Sequence, residues 1–146
     1  MFRFACAVVL SLSAASAPAQ MTPVGLWRTV SDKNGEVSSE SRIVDNAGVL
    51  NGKIERALSS NYKPGDKCVT CKDDRKDQPI EGLEFIRGVT RVEGKDVWEG
   101  GTILDPDSGT VYKVKLTPIE GGKKLEVRGF IGVSLFGRTQ TWTRIQ

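Results

Sequence analysis

The chain has 146 residues, a formal net charge of +3 and no histidine. The missing imidazole removes the usual neutral-pH general base, the Ser-His triad and the common catalytic zinc sites. Charges of both signs are interspersed, without the clustered cationic face that nucleic-acid binding needs, so no nucleic-acid partner is expected.

The N-terminus reads as an export leader. Arg3 supplies a positive start, an apolar run covers residues 4–12, and Ala17-Pro18-Ala19 fits a small-x-small cleavage site. The run is too short for a membrane-spanning helix, which needs roughly 20 apolar residues. Cleavage after Ala19 is expected, leaving residues 20–146 as one periplasmic or secreted domain with no membrane span. Cys6 falls inside the leader and is not placed as a lipid attachment site.

From there on the pattern is period two, with β-branched residues and closely spaced turn signals, and helical periodicity is poor. The alternation predicts about eight strands, near residues 24–30, 39–45, 49–58, 83–92, 97–104, 110–117, 124–131 and 138–145. Asp32-Lys33-Asn34-Gly35, Asn46-Ala47-Gly48, Glu93-Gly94-Lys95-Asp96, Asp105-Pro106-Asp107-Ser108-Gly109 and Glu120-Gly121-Gly122 are turn sequences between them. Short hairpins between sequential strands make an up-and-down meander. Tyr112, Val114 and Leu116 take one face and Lys113 and Lys115 the other; Leu125, Val127, Gly129 and Ile131 oppose Glu126 and Arg128. That is a sheet wetted on one side, and closing it removes its exposed edges. Gly25-Leu26-Trp27 on the first strand and Trp142-Thr143-Arg144 on the last mark the closure, with Arg144 over the Trp27 ring as a cation–π plug. The expected fold is therefore all-β: a small closed antiparallel up-and-down barrel with one long cysteine-bearing loop.

That loop, residues 59–80, has no periodicity and is rich in charge, proline and glycine. A loop so long in a small domain is usually functional or flexible. It holds Cys68-Val69-Thr70-Cys71, for which three readings stand. An oxidising compartment favours a structural disulfide. Lys67 and Lys72 would favour a thiolate and hence a redox pair, but the βαβ setting usual for redox pairs is absent. A metal site would need two more ligands, with no histidine and no third mature cysteine to supply them.

Other motifs are weaker. Asp105-x-Asp107-x-Gly109 starts like a calcium loop, but Leu116 stands where the bidentate glutamate is required, so it reads as a hairpin turn. Nothing brings Glu81, Glu84, Glu99 and Asp105 together as an acid–base pair, and Ser134 lacks the nucleophile-elbow spacing. No catalytic residue, metal or cofactor is assigned, and the chain is not read as an enzyme.

Several stretches in order carry a resemblance: Val24-Gly25-Leu26-Trp27-Arg28-Thr29, Leu50-Asn51-Gly52-Lys53-Ile54, Pro79-Ile80-Glu81-Gly82-Leu83, Gly101-Thr102-Ile103-Leu104-Asp105-Pro106, Val127-Arg128-Gly129-Phe130-Ile131-Gly132 and Gly137-Arg138-Thr139-Gln140-Thr141-Trp142. Together they resemble the bacterial exported family catalogued as domain of unknown function 2147. The resemblance implies a lipocalin- or calycin-like barrel and carries no catalytic residues with it.

The function expected is non-catalytic binding of a small, lipophilic or amphipathic ligand, or of an envelope component, by a monomeric barrel. Trp98, Tyr112, Phe85 and Phe130 are the candidate ligand-lining residues, with the long loop and residues 132–137 as candidate rims. The alternatives are a thiol-disulfide redox or stress-related protein using Cys68 and Cys71, and an envelope module that recognises a protein partner through the loop.

Overall fold

The computed structural model describes residues 21–146. The expected leader and its cleavage site therefore lie outside the described residues. Eight strands follow in chain order: β1 (Gly25–Val30), β2 (Val37–Asn46), β3 (Val49–Ala57), β4 (Glu84–Arg91), β5 (Trp98–Asp105), β6 (Thr110–Ile119), β7 (Lys124–Phe130) and β8 (Gly137–Arg144). All neighbours pair antiparallel in sequence order, and β8 returns to pair with β1 through Trp27 opposite Arg144 and Arg28 opposite Thr143. The barrel is closed and up-and-down, as the alternation and turns predict, and no strand boundary differs from its sequence prediction by more than two residues.

Antiparallel order puts every second connection at the same end. Residues 31–36, 58–83, 106–109 and 131–136 gather at one end, here called the mouth. The starts of β1, β3, β5 and β7 and the end of β8 gather at the other.

Local sequence explains where the ladder departs from regularity. Trp98 pairs with Leu116 but Gly101 with Val114, so β5 carries an extra residue between them, where Gly100 has φ of +87°. Such a bulge bends the strand and tightens barrel curvature. Gly101 is required for another reason: a Cβ there would collide with the Arg87 carbonyl. On β4 the register against β3 shifts at Gly52–Lys53, and this places Phe85 and Ile86 both in the core.

One position departs from the expected face. Ile131 does not continue the inner row of Leu125 and Val127; β7 ends at Phe130, the chain turns at Gly132, and Ile131 stands 65 % exposed. The long loop forms turns and a single bridge between Lys67 and Pro79, with no helix.

Candidate functional site

The end away from the mouth is sealed by two arginine–tryptophan pairs. Trp27 is fully buried and its indole N–H donates to the Pro23 carbonyl at 2.7 Å. The Arg144 guanidinium lies 4.2 Å over that ring and donates to the carbonyls of Gly122, Val24 and Thr22 at 2.6, 2.7 and 2.5 Å. Burial pushes its pKa down from the usual arginine value. At the same end, Arg91 lies 5.5 Å over Trp98 and donates to the Lys95 carbonyl and the Asp96 carboxylate. Trp98 is thus part of the seal and stands at the opposite end from the mouth, away from the other candidate ligand residues.

Above this seal one hydrophobic cluster occupies the barrel, including Ile43, Leu50, Ile86, Val89, Val114, Leu116, Leu125 and Val127. Phe85 packs on Trp142 with ring centroids 6.0 Å apart, and the Trp142 indole donates to Gln140 Oε1 at 2.8 Å. A chain of buried hydroxyls runs through the same interior: Thr29 to Ser39 at 2.6 Å and Ser39 to Ser41 at 3.0 Å, with Ser38 joining Thr29 at 2.9 Å.

Toward the mouth the inner face stays buried on β1–β4, at Thr29, Ser39 and Phe85, and is less buried on β5–β8. Cross-strand register puts Gly101, Val114, Gly129 and Arg138 in one inward row and the Ile103–Tyr112 pair in the next row toward the mouth, diagonal to Gly129, whose missing Cβ would lie 3.6 Å from Tyr112 and 3.7 Å from Ile103. Ile103 and Tyr112 are half-buried and Arg138 is exposed, whereas Val114, Leu116, Leu125 and Val127 nearer the seal are buried. Of the candidates, Tyr112 is the one half-buried on the inner face near the mouth. Phe85 lies in the core beneath, and Phe130 pairs with Lys113 on the outer face. Arg138 was missed in the sequence, although its alternation with Gln140 and Trp142 was visible there. Across the mouth, Lys33 Nζ lies 3.8 Å from Asp107, joining connections on opposite sides of the ring. Both side chains are exposed, so this pair contributes at most about 1 kcal/mol.

The long loop is pinned outside the barrel. Cys68 and Cys71 form a disulfide, and both are buried, with Cys68 Sγ near the Pro106 carbonyl. Thr70 donates to that carbonyl at 2.6 Å. Arg75 is only 4 % exposed, donates to both Asp73 oxygens and reaches the Glu84 carbonyl at 3.1 Å. This contact holds the Asp73 carboxyl down at about 2. Arg87 makes a two-pronged contact with Asp74, at 2.9 Å on each oxygen, and a second with Glu84. A depression of about 380 Å³, lined by Lys72, Asp73, Leu104 and Val111 among others, lies between this loop and the β5–β6 turn.

The carboxylates weighed for acid–base chemistry do not converge. Glu84 pairs with Arg87, Glu81 accepts from the Ala57 amide, and Asp105 accepts from Asp107 and Ser108 within its own turn. Burial of both cysteine sulfurs leaves little room for an attacking thiolate.

An eight-stranded, closed, up-and-down barrel with a sealed end and an open one is a lipocalin-like architecture. Protein HP1028 from Helicobacter pylori, described as belonging to the lipocalin family, superposes with a TM-score of 0.71 at 17 % identity, covering 84 % of this chain and 82 % of that one. Over residues 25–144 the chain belongs to the family described as an uncharacterized protein conserved in bacteria, DUF2147. No curated protein matches it.

Proposed function

We propose that this chain is an exported, monomeric, non-catalytic binding protein that takes a small amphipathic ligand at the mouth of the barrel. The observation that carries the reading is the contrast along the inner face: tight toward the arginine–tryptophan seal, accessible at Ile103, Tyr112 and Arg138. Accessible inward-facing surface is where a barrel of this size holds a ligand. The packed interior below argues for a shallow site that covers only part of the ligand. Arg138 has no carboxylate partner among the described residues, which suits a ligand with a short apolar body and a negative head. The lipocalin-like fold supports ligand binding in general, and the leader-like first 19 residues support a periplasmic or secreted location.

Native mass spectrometry and thermal shift with dodecanoate, decyl sulfate and an uncharged alkyl glucoside test this reading. A one-to-one adduct with an anionic amphiphile is expected, weakened about tenfold in Arg138→Gln. No adduct with any of the three at millimolar concentration would sink it.

A further inference from the structure

The β7–β8 connection is unusual for an exposed loop. Ile131, Val133, Leu135 and Phe136 are 65, 58, 79 and 72 % exposed, four large apolar side chains within six residues. Single exposed apolar residues are ordinary, but a cluster on one projecting tip marks a contact surface.

The backbone of the tip is turned toward the barrel. Arg128 donates to the carbonyls of Ser134 at 2.7 Å and Leu135 at 3.3 Å, Lys113 Nζ reaches the Gly132 carbonyl at 3.4 Å, and the Phe136 amide closes a turn onto Val133. These carbonyls already have partners, so carrying the tip out of water does not strip them of hydrogen bonds.

A basic collar lies directly below. Lys113, Lys115 and Arg128 share the outer face of β6 and β7, and Lys115 stands directly opposite Arg128. Like charges at that position repel, and none of the three has a carboxylate partner among the described residues. An external anion would relieve the repulsion.

We propose that the β7–β8 tip docks this barrel onto an anionic phospholipid surface, with the four apolar side chains entering the interface and the collar of Lys113, Lys115 and Arg128 against the headgroups. A convex apolar tip fits a deformable lipid interface better than a flat protein face, and the collar adds attraction that salt removes. This surface is on the outer side of β6 and β7 and uses neither Arg138 nor Tyr112, so it stands or falls independently of the ligand reading.

Vesicle flotation tests it, using residues 20–146, which contain the whole closed barrel and omit the apolar leader. Vesicles of phosphatidylcholine alone are compared with vesicles holding about a third phosphatidylglycerol. The protein is expected to float with the anionic vesicles and to release at about 1 M salt, where the Debye length is about 3 Å. Lys113→Gln with Lys115→Gln should weaken that binding about tenfold, and Leu135→Ser with Phe136→Ser should abolish it. Both apolar positions are exposed, so the melting temperature should hold; if it drops, Phe136→Ser alone replaces the pair. Three results would overturn the proposal: no flotation, flotation that ignores the apolar substitutions, or equal binding to both vesicles. Absence of flotation together with a dimer that Leu135→Ser and Phe136→Ser dissolve would assign the tip to a second copy of the chain instead.

Discussion

Arg144 and Trp27 face each other across the one seam where the last strand meets the first, with the guanidinium 4.2 Å above the indole. Gly25 makes the contact feasible. Its φ is +144°, and a Cβ there would strike both Arg144 Nη1 and the Gln146 carbonyl. The three residues act as one closure: the glycine leaves the room, the arginine ties three carbonyls at the sealed end, two before β1 and one between β6 and β7, and the tryptophan fills the space beneath.

Trp27→Ala should therefore lower stability by about 3–5 kcal/mol, the range for emptying a large buried aromatic site. Gly25→Ala should destabilise as well, because the added methyl displaces Arg144. Arg144→Lys should fall between wild type and Arg144→Ala, since an ammonium keeps the charge but lacks the fork that reaches several carbonyls. Urea unfolding of the four proteins checks the order. Midpoints equal to wild type for Gly25→Ala would contradict the closure.

The strands were legible because their signal is local: alternation and turn residues lie within a few positions of each other, and the seam was marked by Gly25, Trp27 and Arg144. What was not legible depends on contacts distant in the chain. Trp98 was chosen as an aromatic side chain near the start of the fifth strand, and its place under Arg91 emerges only from the register in which β4 and β5 pair. Phe130 is a different case: it was chosen for being aromatic, although the alternation that puts Gly129 inward already turns it outward, where its register with Lys113 places it. Arg75 sits in a run of mixed charge that reads as a solvated loop, yet it is buried because Asp73 and the Glu84 carbonyl satisfy its donors. The polar pattern of Ser39 and Ser41 likewise conceals a core position, because each hydroxyl finds a partner only after β1 and β2 pair.

That hydroxyl chain leads to a second prediction. Ser39→Ala removes the link between Thr29 and Ser41, and Ser41 is fully buried. Leaving a buried hydroxyl unpaired costs about 1–3 kcal/mol. Adding Ser41→Ala removes the stranded group, so the double variant should lose less than the sum of the two single ones. A double-mutant cycle by denaturant unfolding measures the difference, and simple additivity would show that the chain is not coupled.

Acid should act first on the long loop. Asp73 has its carboxyl lowered from 3.8 to about 2, first by the side-chain hydrogen bond from Arg75 and then by the Arg75 amide. A depressed carboxyl contributes stability that is fully present above its unfolded value and is lost as pH falls through the folded one. The loss is thus expected between about pH 4 and pH 2, and it is moderated by solvent because the Asp73 side chain is 42 % exposed. Amide exchange in residues 68–80, followed across that window, should accelerate in the wild type before the barrel strands respond. In Asp73→Asn the loop should exchange faster already at neutral pH and show a smaller change on acidification. Identical pH profiles for the two proteins would remove Asp73 from this role.

The Cys68–Cys71 bond should resist reduction while the protein is folded. Both sulfurs are buried, and the Thr70 hydroxyl on the Pro106 carbonyl clamps the segment against the β5–β6 turn. Reductant without denaturant is expected to release no titratable thiol, and both thiols should appear once urea opens the loop. Because the bridge closes so short a stretch, the chain-entropy account gives about 2 kcal/mol for it. Cys68→Ser with Cys71→Ser should therefore keep the barrel's circular dichroism, lower its stability by that modest amount, and concentrate the loss in the loop. Rapid reduction of the native protein by a small dithiol would mean that the sulfurs become accessible without global unfolding. That result would restore the redox reading of the pair, which burial otherwise disfavours.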